Sequence, residues 1–448
     1  MPDATADTIA AVATPPGHGG VGVIRVSGPV AATIGQAVAG PLPAPRQAGF
    51  RSFRDAAGEP LDQGLVLWFP APASYTGEDT LELHGHGGPA VLDAVLARVL
   101  GLGARAARAG EFTERAFLNG RLDLAQAEAV ADLIETADAA GARAAMRSLA
   151  GDFSVRIEAL VDELTALRAW IEAALDFPDD EVDFLADDAL HARLSALQDS
   201  VAETRATAAE GRRLVEGATV AIVGAPNAGK SSLLNRLAAT DAAIVTEIPG
   251  TTRDTLRENV RIEGVPLTVI DTAGLRETDD PVESEGVRRA RDAIARADRV
   301  LHIIDGSTAS FEELAVPPNV PVTLVRNKVD LTGERPGAGS DPKTGADCFA
   351  VSATTGAGLD ALRTHLGRTL AGGAESGGAF SARRRHLEAL DRTTEYVRAA
   401  VDELTIRAAG ELAAEQLRHA QEALGEITGR VTTEDLLGEI FGRFCIGK

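Results

Sequence analysis

Between Gly224 and Ser231 the chain runs Gly-Ala-Pro-Asn-Ala-Gly-Lys-Ser, placing two glycines, a lysine and a hydroxyl at the spacing G-x-x-x-x-G-K-[ST]. The chemistry of that pattern is phosphate binding. Gly224 and Gly229 let the backbone fold until successive amides point inward, making an anion nest closed by the N-terminus of a following helix. Asn227, Ala228, Gly229, Lys230, Ser231 and Ser232 would line the phosphates, with Lys230 reaching the β- and γ-phosphates and Ser231 offering its hydroxyl to Mg²⁺. Asp271-Thr272-Ala273-Gly274 ends an apolar run from Pro266 to Ile270, so a carboxylate stands at a strand end where it can hold the Mg²⁺ shell. Asn327-Lys328-Val329-Asp330 ends a run from Val320 to Val325. Asp330, expected buried, can accept from N1–H and the exocyclic amino group of guanine. Adenine would leave that carboxylate facing an acceptor, a mismatch that discriminates by roughly 10⁴ or more. Ser352-Ala353, after the run Cys348 to Val351, would close over the base edge. Motifs in this order on strand ends specify a guanine nucleotide site, in the crevice where such sheets bind ligands.

The hydrolytic residues differ from those of Ras-like proteins. Where those carry a water-orienting glutamine after D-T-A-G, this chain has Leu275, whose apolar side chain cannot align water. Arg276, Asp279, Asp280, Glu283 and Glu285 are the nearby polar candidates, within a charged segment in which any one of them reads equally as a solvated loop charge. Upstream, Thr246, Glu247, Ile248, Pro249, Gly250, Thr251 and Thr252, followed by Arg253 and Asp254, have the composition of a switch loop with hydroxyls for a metal.

The segments PNAGKSSLLN, IPGTTRD, DTAGLRETDDPVE and NKVD resemble the GTPase domain of the MnmE (TrmE) family of tRNA modification GTPases, and Cys445-Ile446-Gly447-Lys448 matches that family's C-terminal signature. ATPPGHGGVGVIRVSG, SYTGEDTLELHGHGGP and GEFTERAFLNGRLDLAQAEAVADLI resemble its N-terminal portion, so the likeness spans the chain. The resemblance implies a potassium ion beside the phosphates in place of an arginine finger, held by Asn227, Thr251 and main-chain oxygens of Thr246 and Ile248. It also implies Glu283 as the water-orienting acid, Arg276 as a switch arginine and Thr252 as the Mg²⁺ threonine beside Ser231. For the N-terminal portion it implies homodimerisation and a pocket for 5-formyl-tetrahydrofolate or a related folate, built from Arg25, Glu82, Arg121 and Lys448. Some relatives carry lysine at the position of Arg121, and the change keeps the charge while altering how a glutamyl tail is held. Finally, it implies a flavin- and NADH-using partner of the MnmG (GidA) family and formation of a carboxymethylaminomethyl-type group on the tRNA wobble uridine. Cys445 is implied to be necessary for that modification.

These residues need a scaffold. At 448 residues the chain should hold about three domains. Residues 1–121 mix short β-like runs (Ile9–Ala13, Val21–Val26, Leu65–Phe69, Thr80–Leu83) with a helix near Pro89–Leu100, an α+β module. Gly17, Gly19, Gly20 and Gly22 read as a turn before a strand, since no helix follows them. His84 and His86 lack a third ligand at a supporting spacing and read as loop residues. In 122–217 the stripe Ile157, Leu160, Leu164, Leu167, Ile171 and Ala174 specifies a packed helix. The acidic run DFPDDEVDF reads as a solvated loop beside it. Leu387, Leu390, Val397, Val401 and Leu404 repeat the stripe in 377–448, and another helix follows from Glu411 to Gly425. Neither tract closes a core alone. They are expected to pack together as one helical domain, with an α/β P-loop domain at 218–376 inserted between them and a glycine-rich exit linker at 372–378.

Bulk composition sets limits. With 44 basic against 66 acidic residues, net charge is −22, which argues against a static complex held on nucleic acid by charge and leaves any RNA contact local or shared with a partner. Only two Trp and two Tyr disfavour a base-stacking single-strand binder. Two cysteines, Cys348 and Cys445, give no disulfide framework and suit a reducing cytoplasm. Cys445 reads by default as a buried apolar thiol, with Arg443 and Lys448 able to activate it. No signal peptide and no membrane span are expected. A GTP-dependent RNA or ribosome assembly factor without modification activity is the alternative; the C-terminal tract has no GXXG loop and no basic stripe, which weighs against it.

Overall fold

Short runs in the N-terminal portion build strands β1 (Ile9–Val12), β2 (Gly19–Ser27), β3 (Gly49–Arg54), β4 (Pro60–Phe69), β5 (Thr80–Gly87) and β6 (Arg105–Ala106). Helices α1 (Ala31–Ala39), α2 (Pro89–Leu100) and α3 (Glu111–Leu118) lie among them. The computed structural model describes residues 7–136, 139–176, 188–225, 227–238, 257–262, 265–271, 294–295, 297–308, 316–317, 320–341, 345–370, 379–407, 409–442 and 444–447. The first sheet has the order β3-β4-β5-β2-β1-β6, antiparallel except for the β1–β6 pair. Ile24, Val26, Leu81, Leu83 and Val66 point from one face onto Ile34, Val38, Val95 and Val99 of the helices. Helix α1 was not expected. Its low-propensity centre Thr33-Ile34-Gly35 conceals it, and Gly35 is there because Leu42 and Leu81 pack against its bare backbone.

The glycine-rich start of β2 also departs from expectation. Gly19 to Gly22 belong to the strand, with a register shift between Gly19 and Gly22, and the close approach of Gly87 and Leu92 leaves no room for a side chain at Gly22. Likewise His84 and His86 lie within β5 rather than in a loop. His84 meets Glu82 and His86 meets Asp62, each at hydrogen-bond distance.

Helices α4 (Leu124–Glu135), α5 (Ala139–Ala150), α6 (Asp152–Asp176) and α7 (Asp188–Glu216) follow. Along α6 the residues Ile157, Leu164, Leu167 and Ile171 are fully buried, while Ala174 near its end is only half-buried. The acidic run after α6 lies outside the described residues.

The inserted α/β portion contains β7 (Ala218–Val223), α8 (Lys230–Ala238), β8 (Arg257–Ile262), β9 (Val265–Asp271), β10 (Arg299–Asp305), β11 (Val322–Asn327), α9 (Val329–Thr332), β12 (Gly337–Ser340), β13 (Asp347–Ala350) and α10 (Leu359–Leu370). Its sheet order is β12-β13-β11-β10-β7-β9-β8, with β13, β11, β10, β7 and β9 parallel and both edge strands antiparallel. Strand order reverses between β7 and β10, the position where doubly wound sheets open a ligand crevice. Strand β10 sits at the centre of this sheet although its run is interrupted by His302, which is buried.

The chain then returns through α11 (Arg384–Thr405), α12 (Gly410–Thr428) and α13 (Glu434–Gly442). On α11 Leu390, Val397 and Leu404 are buried, whereas Leu387 and Val401 are half-buried. Helix α6 packs along α12, joined by Arg168 to Gln421 Oε1 at 2.8 Å and by Gln421 Nε2 to Thr165 Oγ1 at 2.9 Å. The two helical tracts thus complete one core. Two compact units result: Met1–Glu135 with Ala145–Arg205 and Arg385–Lys448, and Thr136–Ala144 with Ala206–Arg384. Among the described residues, no helix is long and apolar enough to cross a membrane.

Candidate functional site

The buried strand β7, with Val220, Ile222 and Val223 all within 1 % exposure, delivers the chain to Gly224. Three positions of the loop have positive φ: Gly224 at 151°, Asn227 at 64° and Gly229 at 90°. Asparagine is among the few residues that take this conformation readily. Glycine is required at the other two for a further reason. A methyl on Gly224 would overlap the Ile303 carbonyl oxygen of β10, and one on Gly229 would overlap the Asn327 amide nitrogen. Helix α8 starts at Lys230, so its first free amides face the concave side of this loop. The Lys230 ammonium donates to the carbonyls of Gly224 (2.8 Å) and Ala225 (3.1 Å), spanning the loop. Ser231 and Ser232 are exposed in the first turn of α8, and Ala228 is buried beneath it.

Asn327 ties the loop to the base-binding motifs. Buried at the end of β11, it donates from Nδ2 to the Ala228 carbonyl (2.8 Å) and accepts at Oδ1 from the Ala353 amide (3.0 Å). One side chain therefore fixes the spacing between phosphate loop and base edge. Ser352 is buried, and its Oγ accepts from the Thr355 amide at 3.1 Å. Lys328, at φ 68°, directs its ammonium to Asp305 Oδ2 at 2.6 Å. The Lys328 hydrogen bond, with further donation from Ser307, lowers the Asp305 carboxyl to about 2. Asp305 is concealed in the sequence because His302 interrupts the apolar run of β10. Asp330 is exposed in the first turn of α9, which corrects the expectation of a buried carboxylate.

Asp271 closes β9 opposite Ile222, with only its backbone described. Thr246, Glu247, Ile248, Pro249, Gly250, Thr251, Thr252, Thr272, Ala273, Gly274, Arg276 and Glu283 lie outside the described residues, as does Lys448.

A second concavity of about 240 Å³ occurs in the other unit, lined by Ala13, Arg25, Tyr75, Val130, Ile134 and Gly447. Arg25 on β2 lies directly across from Glu82 on β5, with its Nε at 3.0 Å and its terminal nitrogen at 2.9 Å from Glu82 Oε1. His84 Nε2 stands 3.0 Å from the other carboxylate oxygen. Burial would raise the Glu82 carboxyl, but His84 and Arg25 outweigh it and hold the group below its ordinary value. The guanidinium of Arg25 lies 5.4 Å from the Tyr75 ring centre and 5.7 Å from that of Phe112. Tyr75 meets Thr113 at 2.9 Å through its hydroxyl.

Phe112 packs in a buried cluster with Ile9, Ala11 and Ala107, and three residues on Arg115 is buried as well. Arg115 bonds Asp7, Glu78 and Glu111. Burial alone would raise Glu111, yet Arg105, the Arg108 amide and Arg115 keep its carboxyl at about 2.

Of the residues expected in this pocket, Arg25 and Glu82 are together. Arg121 is exposed on the turn beyond α3, with its stem beside Gly77. Residues 445–447 reach the cavity through an antiparallel bridge between Ala109 and Ile446, and Gly447 takes φ 98° where a side chain would strike the Val12 carbonyl. Cys445 is exposed, contrary to the expected buried thiol: Phe444 and Gly447 turn inward, and Cys445 and Ile446 turn out. Tyr75 and Val130 were not singled out from the sequence, since only the fold brings them beside Arg25.

A glycine-built phosphate loop on a parallel strand, tied by N-K-V-D and S-A motifs and inserted into a helical scaffold, defines a P-loop GTPase. The family model described as GTP-binding protein TrmE N-terminus matches residues 8–121, and that of the MnmE helical domain matches 124–445. A tRNA modification GTPase MnmE of Alkalilimnicola ehrlichii is 56 % identical over 445 residues, covering 98 % of this chain and 99 % of that protein. Proteins of the same description from Chromohalobacter salexigens and Pectobacterium carotovorum are each 53 % identical, over 99 % of this chain and 98 % and 99 % of their own lengths. The chain belongs to the MnmE family and is a GTP hydrolase acting in tRNA modification. That assignment decides against an assembly factor without modification activity.

Proposed function

We propose that this GTPase hydrolyses GTP when two of its nucleotide domains pair in the presence of K⁺, and that the cycle serves a folate-dependent step at the tRNA wobble uridine. The observation that carries the reading is Asn327, which links loop and base edge in one buried contact, so that nucleotide is held as a rigid body at the strand ends. Ser231 and Asn227 lie in the loop where hydroxyl and amide oxygens suit hard cations. Mg²⁺, with Ser231 and Thr252 as ligands, and K⁺, with Asn227, Thr251 and the main chain of Thr246 and Ile248, would supply positive charge to the transferring phosphoryl group. Glu283 orients the attacking water, Arg276 acts in the switch, and Asp330 selects guanine. Gly224, Asn227 and Gly229 pre-shape the nest, so little reorganisation is needed on binding.

The cavity beside Arg25 takes a folate such as 5-formyl-tetrahydrofolate. An apolar wall of Val130 and Ile134 faces a charged pair, which suits a flat ring carrying polar edges. Arg121, Lys448 and Cys445 complete the reading at the anionic tail and the reaction site. An exposed sheet face with Val21, Phe50 and Leu65 supports homodimerisation of the N-terminal portion. A flavoprotein of the MnmG (GidA) family supplies redox chemistry and much of the tRNA contact, in keeping with the chain's net charge of −22. The work is cytoplasmic.

GTP turnover measured in KCl and in NaCl at equal ionic strength tests the hydrolytic part. Turnover should fall by about 10-fold or more in Na⁺, the loss of one electrostatic stabiliser, and equal rates would remove the cation from the account.

A further inference from the structure

We infer that α4 is the lever through which the state of the inserted GTPase portion reaches the cavity beside Arg25, with Glu128, Arg385 and His386 as its positioning residues. The inference rests on reading that cavity as the folate pocket.

Helix α4 presents three faces with different partners. Val130 and Ile134 form part of the cavity wall. Leu124, Ala127 and Ala131 pack against Ile440, Phe441 and Phe444, whose continuation provides Gly447 to the same wall. Glu128, buried to 2 % exposure, faces a third side. There it accepts from Nε and a terminal nitrogen of Arg385 at 2.8 and 2.7 Å, and pairs with His386 Nε2 at 2.8 Å. Arg385 also donates to the carbonyls of Glu426 (2.8 Å) and Ile427 (3.2 Å), at the C-terminal end of α12 where the helix dipole favours a cation. The His386 ring lies 5.2 Å from that of Phe153 on α6.

The place of this knot in the chain gives it meaning. The inserted unit ends at Arg384, so Arg385 and His386 are the first residues after the chain leaves it. Residues 379–383 lead directly into α11 and are anchored within that unit by the Ser381 amide on the Ala144 carbonyl at 3.1 Å, so a displacement of this anchored stretch is carried covalently into the first turn of α11. A buried, two-pronged carboxylate–guanidinium contact cannot slide without leaving an unpaired charge, so that turn and α4 shift as one body. Movement of α4 carries Val130, Ile134 and, through α13, Gly447. Nucleotide state and pocket affinity are thereby linked, and linkage acts equally in both directions.

The full-length chain is to be compared in GDP and in GDP with aluminium fluoride and K⁺, by amide hydrogen exchange across 124–135 and by titration with 5-formyl-tetrahydrofolate. Wild type should show state-dependent exchange in α4 and folate affinities that differ about 5-fold or more between states. Glu128→Gln should erase the exchange difference and bring the affinity ratio near 1, with basal GTP hydrolysis unchanged. Should Glu128→Gln fail to fold, Arg385→Lys keeps the charge, loses the fork, and should reduce both differences. Identical α4 exchange in the two states of wild type, or a difference that survives in the variants, overturns the lever. If wild type binds no folate while α4 still responds to nucleotide and the variants abolish the response, the lever stands and the pocket reading falls.

Discussion

The phosphate loop and the cavity beside Arg25 are made of different material. The loop is backbone: positive-φ turns at Gly224, Asn227 and Gly229, the first amides of α8, and one lysine folded over its own carbonyls. The cavity is side chain, collected from β2, the turn before β5, α4 and the segment beyond α13. A backbone site tolerates almost no added atoms, yet its shape is set by a few consecutive residues. A side-chain site tolerates local change but depends on several elements arriving together.

The strongest way to test that contrast is to add one methyl group to the loop. Gly224→Ala forces a positive-φ alanine into the Ile303 carbonyl. Strain of about 3 kcal/mol, the upper range for one such residue, corresponds to about a 100-fold loss of GDP affinity. Fluorescent-nucleotide titration reads it, and affinity within a few-fold of wild type would show that the loop is softer than its backbone implies. Asn327→Ala should come next. It leaves the Ala228 carbonyl and Ala353 amide unpaired, at about 1–3 kcal/mol each if both stay buried. Nucleotide affinity should drop by about 10- to 100-fold, while Asn327→Asp keeps the acceptor for Ala353 and loses only the donor to Ala228.

The smallest effect is expected at Glu82→Gln. Arg25 and His84 each lose a charged partner, and 5-formyl-tetrahydrofolate affinity should fall about 10-fold, one charged hydrogen bond, with GTP turnover untouched. The same variant has a pH signature. Since the folded-state carboxyl lies below its ordinary 4.5, the stability it contributes is complete above that value and is lost as pH falls through the lowered one. Glu82→Gln should flatten this acid limb in thermal melts recorded between pH 6 and pH 3. An unchanged limb would mean that other carboxylates, Glu111 foremost, carry the acid sensitivity of this unit.

The same contrast explains what sequence could reveal. The nucleotide site announces itself because G-x-x-x-x-G-K-S is contiguous, and each further motif ends an apolar run. Asp305 escaped because His302 interrupts the run of β10, although burial between β7 and β11 makes that strand central. In the N-terminal portion, Arg25 and Glu82 stand 57 positions apart, and no periodicity states that they face each other. Their pairing follows from β2–β5 register, itself shifted by a bulge among glycines. Helix α4 was legible as helix, but not its three-sided role, because Glu128 and Arg385 are separated by the entire inserted portion. Burial decided the remaining differences, turning Cys445 outward and leaving Asp330 open to solvent.

The bridge between Ala109 and Ile446 has a consequence for biosynthesis. Roughly 340 residues of chain separate its two sides, so at about 5–20 residues per second the first sheet leaves the ribosome tens of seconds before the segment that walls its cavity. A nascent chain can assemble a nucleotide-binding domain while its other site is still missing a side. Any ligand of that cavity can therefore meet a complete wall only after the helical scaffold has docked.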